Sequence, residues 1–200
     1  MKGNFIKTWF NLFFIMILAI GLIPGCSAKD EPASDEDKIT GPTDAEVQAA
    51  YQKADEAYGW FYLSTLPVDY SDKREWNGYE YFRVEHPTIK TLADLKNYLQ
   101  TVFSDEIVET LLNEDEDAAL VLYRDFDNVL YAIPADAGRD ITKGDKTYEI
   151  IRESDSKIIF RVNVEIYGDP DTKNVVDIKQ YDFPYEYVNG RWVFTFFELI

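Results

Sequence analysis

Hydrophobic positions along residues 43–200 follow two different periods, and the change comes near residue 118. Val47, Ala50, Tyr51, Ala54, Tyr58 and Phe61 recur at helical spacing. Just before them, Thr43-Asp44-Ala45-Glu46 has the spacing of a capping box, with Thr43 as the cap and Glu46 bonding back. The pattern predicts a helix to about Leu63, ending before Pro67. A loop is expected from Pro67 to Gly78, then a strand over Tyr79–Glu85 with alternating aromatics. Thr91 and Asp94 repeat the capping signal, and Leu92, Leu95, Tyr98, Leu99 and Val102 share one helical face. Ser104 opens a short helix through Leu112, so a helical pair is predicted here.

Beyond residue 118 the period falls to two. Ala119–Tyr123 and Val129–Ile133 flank Asp127-Asn128, residues that tolerate the positive φ of a tight turn. Lys146–Arg152 and Lys157–Tyr167 meet across Ser154-Asp155-Ser156. Within the second, Ile158, Phe160, Val162, Val164 and Ile166 point one way, which marks a half-buried antiparallel strand. Asn174–Val188 and Arg191–Glu198 meet at Asn189-Gly190, a strong hairpin signal. Helices first and strands later predict an α+β fold, N-terminal helices followed by an antiparallel β-meander. Lobes of roughly 43–115 and 116–200 are expected.

The first 25 residues read as a sorting signal. Lys2 and Lys7 precede an apolar stretch from Trp9 to Ile23, with no acid. Fifteen such residues span about 22 Å as a helix, short of the roughly 30 Å of a bilayer core. Leu22-Ile23-Pro24-Gly25-Cys26 resembles the lipobox of bacterial lipoproteins, with Pro24 where a small residue is usual. The resemblance implies cleavage after Gly25 and a diacylglyceryl thioether on Cys26, the chain's single cysteine. Two acyl chains would hold the protein at a membrane, placing it outside the cytoplasm. Residues 26–42 are polar and acidic, without hydrophobic periodicity, and read as a disordered tether.

Charge narrows the function. The 200 residues carry 20 Lys+Arg against 37 Asp+Glu, a formal charge of −17. Nucleic acid is a poor partner for such a chain, because phosphate binding runs on Lys and Arg. One Cys allows no internal disulfide, and one His allows no two-His metal site. His86, placed before Pro87, has no recognisable nucleophile setting and reads as a strand-end residue. Gly168-Asp169-Pro170-Asp171-Thr172-Lys173-Asn174 starts like a calcium loop, but Lys173 and the missing Gly and Glu make it an acidic hairpin turn. Carboxylate pairs also suit glycosidase chemistry, though this composition produces them anyway. No catalytic residue, cofactor or metal is therefore assigned, and the chain is expected not to be an enzyme. Glu114-Asp115-Glu116-Asp117 reads as a solvated connector. Asp125, Asp127, Asp136 and Asp140 form a second acidic group around the first hairpin, suited to a basic partner or a protonated His. Trp60, Tyr70 and Trp76 near the first loop would serve either a core or a binding platform.

Three segments carry a family resemblance. They are Ala54-Asp55-Glu56-Ala57-Tyr58, the hairpin Tyr123–Tyr131 with Gly138 soon after, and Tyr185–Phe194 with its Asn189-Gly190-Arg191-Trp192 turn. Together they resemble the IseA family, secreted bacterial inhibitors of peptidoglycan D,L-endopeptidases. The resemblance implies a two-lobed α+β body that docks on an NlpC/P60-type enzyme with a Cys/His active site; the chain itself is expected to be a monomer. The residues it brings forward are Asp125, Asp127, Asp136 and Asp140, with Gly138 allowing close backbone approach. A lipobox is not a feature of the family's secreted members. The ending alone also looks like many NTF2-like domains, so a ligand-binding or sensory lipoprotein is the alternative. A closed hydrophobic cavity would favour that alternative, and a polar groove would favour the inhibitor.

Overall fold

The computed structural model describes residues 41–112 and 120–200. The expected sorting signal, Cys26, most of the expected tether and the Glu114–Asp117 run lie outside the described residues. Three helices and two four-stranded antiparallel sheets form the α+β body.

Helix α1 (Asp44–Tyr62) begins at the predicted capping box: Thr43 Oγ1 accepts from the Glu46 N–H, and Glu46 accepts from the Thr43 N–H at 2.7 Å. Helix α2 (Leu92–Gln100) opens the same way through Thr91 and Asp94. Helix α3 (Asp105–Leu112) follows at once, and its first turn is tied to the last strand where Arg191 donates to Asp105 at 2.7 Å. Among the described residues no helix is long and apolar enough to cross a membrane.

The first sheet runs β1-β2-β4-β3, from β1 (Val68–Trp76), β2 (Tyr79–Val84), β3 (Tyr123–Phe126) and β4 (Val129–Ala132). The stretch expected to be a loop from Pro67 to Gly78 is thus an edge strand. Its charges are satisfied across the ladder rather than by water alone: Arg83 bonds Asp69 and Asp72, and Lys73 pairs with Glu80. A register shift between Asp69 and Lys73 bends it, a common treatment of exposed edges. Strand β3 runs on from Tyr123 to Phe126 instead of ending at Tyr123, because pairing continues directly into the turn: Phe126 faces Val129. This sheet takes strands from both sides of residue 115, since β2 pairs with β4. Strand pairing therefore does not follow a lobe boundary at 115/116, and residues 41–200 belong to one compact unit.

The second sheet is a meander, β5 (Lys143–Ser154), β6 (Lys157–Tyr167), β7 (Val175–Val188) and β8 (Arg191–Phe194). Ile158, Phe160, Val162 and Val164 are buried along β6, as the alternation predicts. Strand β8 stops at Phe194 instead of Glu198, because the chain turns inward and Phe197 enters the core.

Helix α1 joins the two halves of the core. Tyr51 stacks on Phe160 at 4.4 Å and also meets Phe183 and Phe197. Between two and three turns further on, Trp60 packs on Tyr98 and Phe61 on Tyr123. Burial of each such ring contributes about 1.5–3 kcal/mol. The space between α1 and the second sheet is filled by aromatic rings.

Candidate functional site

The site forms where the chain leaves α1 and meets the connection between β4 and β5. Helix α1 ends with Leu63 and Ser64 both donating to the Gly59 carbonyl. The following residues run alongside 134–137 and pair with them. Thr65 N–H donates to Ala135 O at 3.1 Å, Ala137 N–H to Leu63 O at 2.7 Å, and Ala135 N–H to Thr65 Oγ1 at 3.1 Å. Ser64 and Asp136 form an isolated antiparallel bridge.

Tyr123 fixes this pairing to the core. Its buried hydroxyl accepts from the Leu66 N–H and donates to the Trp60 carbonyl, each at 2.9 Å. Burial pushes the phenol well above its ordinary pKa, so the hydroxyl keeps the proton this double role requires. The base of the β4–β5 loop is thereby held by main chain on one side and by Tyr123 beneath.

Beyond the base, residues 135–141 are exposed. Asp136 accepts from the Gly138 N–H at 3.2 Å, and Gly138 sits at φ 70°, a conformation other residues adopt with strain. Asp140 accepts from both the hydroxyl and the N–H of Thr142, which hold its carboxyl below the usual carboxylate range. Both acids present their charge in short side-chain turns at the surface. Open clefts flank the loop on either side. One of about 500 Å³ lies against Ser64–Val68 and Pro134–Asp136. The other, about 490 Å³, lies between Tyr62, Gly138–Ile141, Lys143 and Lys146.

Of the five residues singled out from the sequence, Asp136, Gly138 and Asp140 come together in this loop. Asp125 and Asp127 sit at the opposite end of β4. An extended run from Asp127 to Asp136 spans up to roughly 30 Å at about 3.3 Å per residue. Asp125 is half-buried and accepts from the Leu92 N–H at 2.7 Å, at the start of α2. Burial, with some help from nearby Asp94, raises its carboxyl pKa against the opposing Leu92 bond. Asp127 and Asn128 are the turn itself, at φ 52° and 61°.

The remaining candidates have local roles. His86 Nδ1 accepts from the Ile89 N–H at 3.0 Å in the turn after β2. Trp60 is in the core, whereas Tyr70 and Trp76 are exposed on β1. Trp76 is covered on one face by the Arg124 guanidinium at 4.6 Å. In the 168–174 turn, Asp169 accepts from the Asp171 N–H, and Lys173 takes φ 51°. Among the described residues no cluster of three or more His, Cys, Asp or Glu is arranged to hold a metal ion.

Sequence reasoning missed Tyr123 as a positioning residue, and missed the 63–68 segment as half of the site. Periodicity marks Tyr123 only as a core residue; its two hydrogen bonds join residues 57 and 63 positions away. No family profile matches the chain, and no curated protein matches it.

Proposed function

We propose that this protein is a lipid-anchored, extracytoplasmic inhibitor of NlpC/P60-type peptidoglycan D,L-endopeptidases, and that the β4–β5 loop is the part that enters the enzyme's cleft. The observation that carries the reading is the loop's construction. It is fixed at its base by 63–65 and Tyr123, and it exposes the carboxylates of Asp136 at that base and Asp140 further along, with open clefts beside it. An exposed loop pinned at its base blocks a groove at a low ordering cost, because its conformation is set before docking. The resemblance of the Tyr123–Tyr131 hairpin, with Gly138 after it, to the IseA family supports the choice of target class.

Occlusion carries inhibition in this account, and charge carries the encounter. A carboxylate beside a thiolate–imidazolium pair favours the charged His and disfavours the thiolate, so electrostatics alone does not define the outcome. A chain at −17 nonetheless steers toward a basic cleft and raises the on-rate. Cys26 would supply the anchor and residues 27–42 the reach from the membrane. The alternative of a ligand-binding domain with a pocket under its helix has less support, since Tyr51, Phe160, Phe183 and Phe197 occupy that space.

The test is to titrate soluble residues 27–200 into peptidoglycan digestion by D,L-endopeptidases, at low and high salt. Dose-dependent inhibition, weaker at high salt, is expected. No effect across a panel of such enzymes would discard the reading.

A further inference from the structure

The sheets guard some of their edges and leave one open. Strands β1 and β5 carry charged residues along most of their length, and both have register shifts. Such features keep an edge from pairing with another chain. Half of β7 is an edge of a different kind. Strand β8 pairs only with Tyr185–Val188, and the Thr195 N–H adds one bond to the Pro184 carbonyl. Among the described residues no strand pairs with 175–183 on that side. Val175, Val176 and Ile178 are exposed there, the last two at 61%.

The direction of the main-chain groups follows from the pairing. Successive residues of an antiparallel strand aim their N–H and C=O to opposite sides. The Tyr187 N–H donates to Ser156 O on the β6 side, and the Pro184 carbonyl accepts on the β8 side. The register with β6 is unbroken from Glu186 to Asp177, so Ile178, Gln180 and Asp182 aim outward with Pro184. Pro184 itself stands where the β6 ladder needs no N–H, as a proline in a strand must. The Ile178 N–H is covered by the carboxylate of Asp177 at 2.8 Å, which confirms that this donor lies outside the ladder.

We propose that this edge pairs with the same edge of a second copy, antiparallel about a two-fold axis at Ile178, so that the two second sheets become one. An isologous pairing must set outward residues against outward residues, which leaves few registers. With the axis at Ile178, each Asp177 lies opposite Lys179 of the second copy, and symmetry makes that contact twice. Both side chains lie on one face, because they are two residues apart. Moving the axis to Asp177 or to Lys179 would set like charges directly opposite, which is unfavourable. Lys179 already lies near Asp140, so charge selects the register. The attraction comes from the unpaired main chain and from Ile178 against its own copy. Asp177 then leaves the Ile178 N–H, which donates to the Ile178 carbonyl of the second copy. The inference goes beyond the inhibitor reading, does not depend on it, and departs from the monomer expected on the sequence.

The experiment is sedimentation equilibrium of the full chain in density-matched detergent, at about 0.15 M salt, where charges more than about 8 Å apart are screened. The contact is short, below the roughly 1,200 Å² of stable complexes, so a dimer dissociating near about 100 μM is expected. Ile178→Pro removes the axis donor and should abolish the dimer. Asp177→Lys and Lys179→Asp each set like charges opposite twice, and each should weaken it about tenfold. Asp177→Lys also lowers the net negative charge, so weakening there does not come from bulk repulsion. An equimolar mixture of these two variants should recover the dimer, because each then faces its opposite. Glu75→Lys, on the edge of the other sheet, should change nothing. If Ile178→Pro fails to fold, the mixture decides. A chain monomeric to about 1 mM, a dimer unaffected by Ile178→Pro, or a mixture no tighter than its components would overturn the proposal. So would 178–182 amides protected from exchange only when an endopeptidase is added, which would assign the edge to a foreign strand.

Discussion

The two ends of strand β4 are alike in sequence and opposite in use. Both carry aspartates within a few residues of a turn. At one end, Asp125 is drawn in to meet the Leu92 N–H, and Asp127 is spent on the turn's backbone. At the other end, the carboxylates of Asp136 and Asp140 accept within their own short turns and keep their charge at the surface. The difference comes from what lies opposite. The start of α2 offers unpaired N–H groups and a partial positive charge, which a carboxylate satisfies. The 135–141 loop faces solvent and two open clefts. An acid's role here is set by the donors within reach, not by the density of acids along the chain.

The sharpest way to break this comparison is Tyr123→Phe. It should leave Leu66 N–H and Trp60 C=O buried without a partner, at a cost of about 1–3 kcal/mol. Chemical denaturation would measure the loss, and hydrogen exchange should quicken at 63–66 and 135–137 more than at the Asp127 turn. Uniform quickening would mean that Tyr123 is only a core residue.

Next in size, Asp125→Ala should remove the bond to Leu92 and lower stability by about 1 kcal/mol, with inhibition unchanged. Asp136→Asn with Asp140→Asn should do the reverse, slowing association with the target enzyme while leaving the melting temperature nearly fixed. Surface-charge changes of this kind act mainly on the on-rate.

The two ends should also differ in sign on acidification. Burial raises the folded pKa of Asp125, so its charged form is disfavoured in the folded state and stability is regained as pH falls through that pKa. Thr142 lowers the folded pKa of Asp140, so its contribution is present above the unfolded value and lost as pH falls through the folded one. The stability of the wild type relative to Asp125→Asn should rise on acidification, and relative to Asp140→Asn should fall. Parallel curves would refute the assignment.

The smallest effect is a control. The Tyr51 hydroxyl is buried without a partner, so Tyr51→Phe should raise stability by no more than about 1 kcal/mol. Inhibition by Tyr51→Phe should equal that of the wild type, which separates global stability from the state of the loop.

Much of the fold was legible because its signals are local. Both capping boxes form as their spacing requires, and Asn189-Gly190 turns at φ 51° and 84°. Strand β1 was overlooked for a reason within the same logic. Asp69, Asp72, Lys73 and Arg74 read as a polar loop, yet Asn77-Gly78 carries the same hairpin signal and takes nearly the same angles, 48° and 82°. The pairing of β2 with β4 was hidden, since a ladder between residues about fifty apart leaves no periodic trace. The candidate site was half legible. Asp136, Gly138 and Asp140 stand close in sequence and remain together, but their partner segment 63–66 and the Tyr123 hydroxyl reach them only through the fold.

The most direct test of the central claim compares two variants in one inhibition assay. Soluble wild type, Asp125→Asn with Asp127→Asn, and Asp136→Asn with Asp140→Asn would be titrated against a D,L-endopeptidase at low salt. The account predicts that the hairpin pair inhibits like the wild type, while the loop pair associates several-fold more slowly, as loss of steering charge implies. Slower association of the hairpin pair, with the loop pair unchanged, would contradict it.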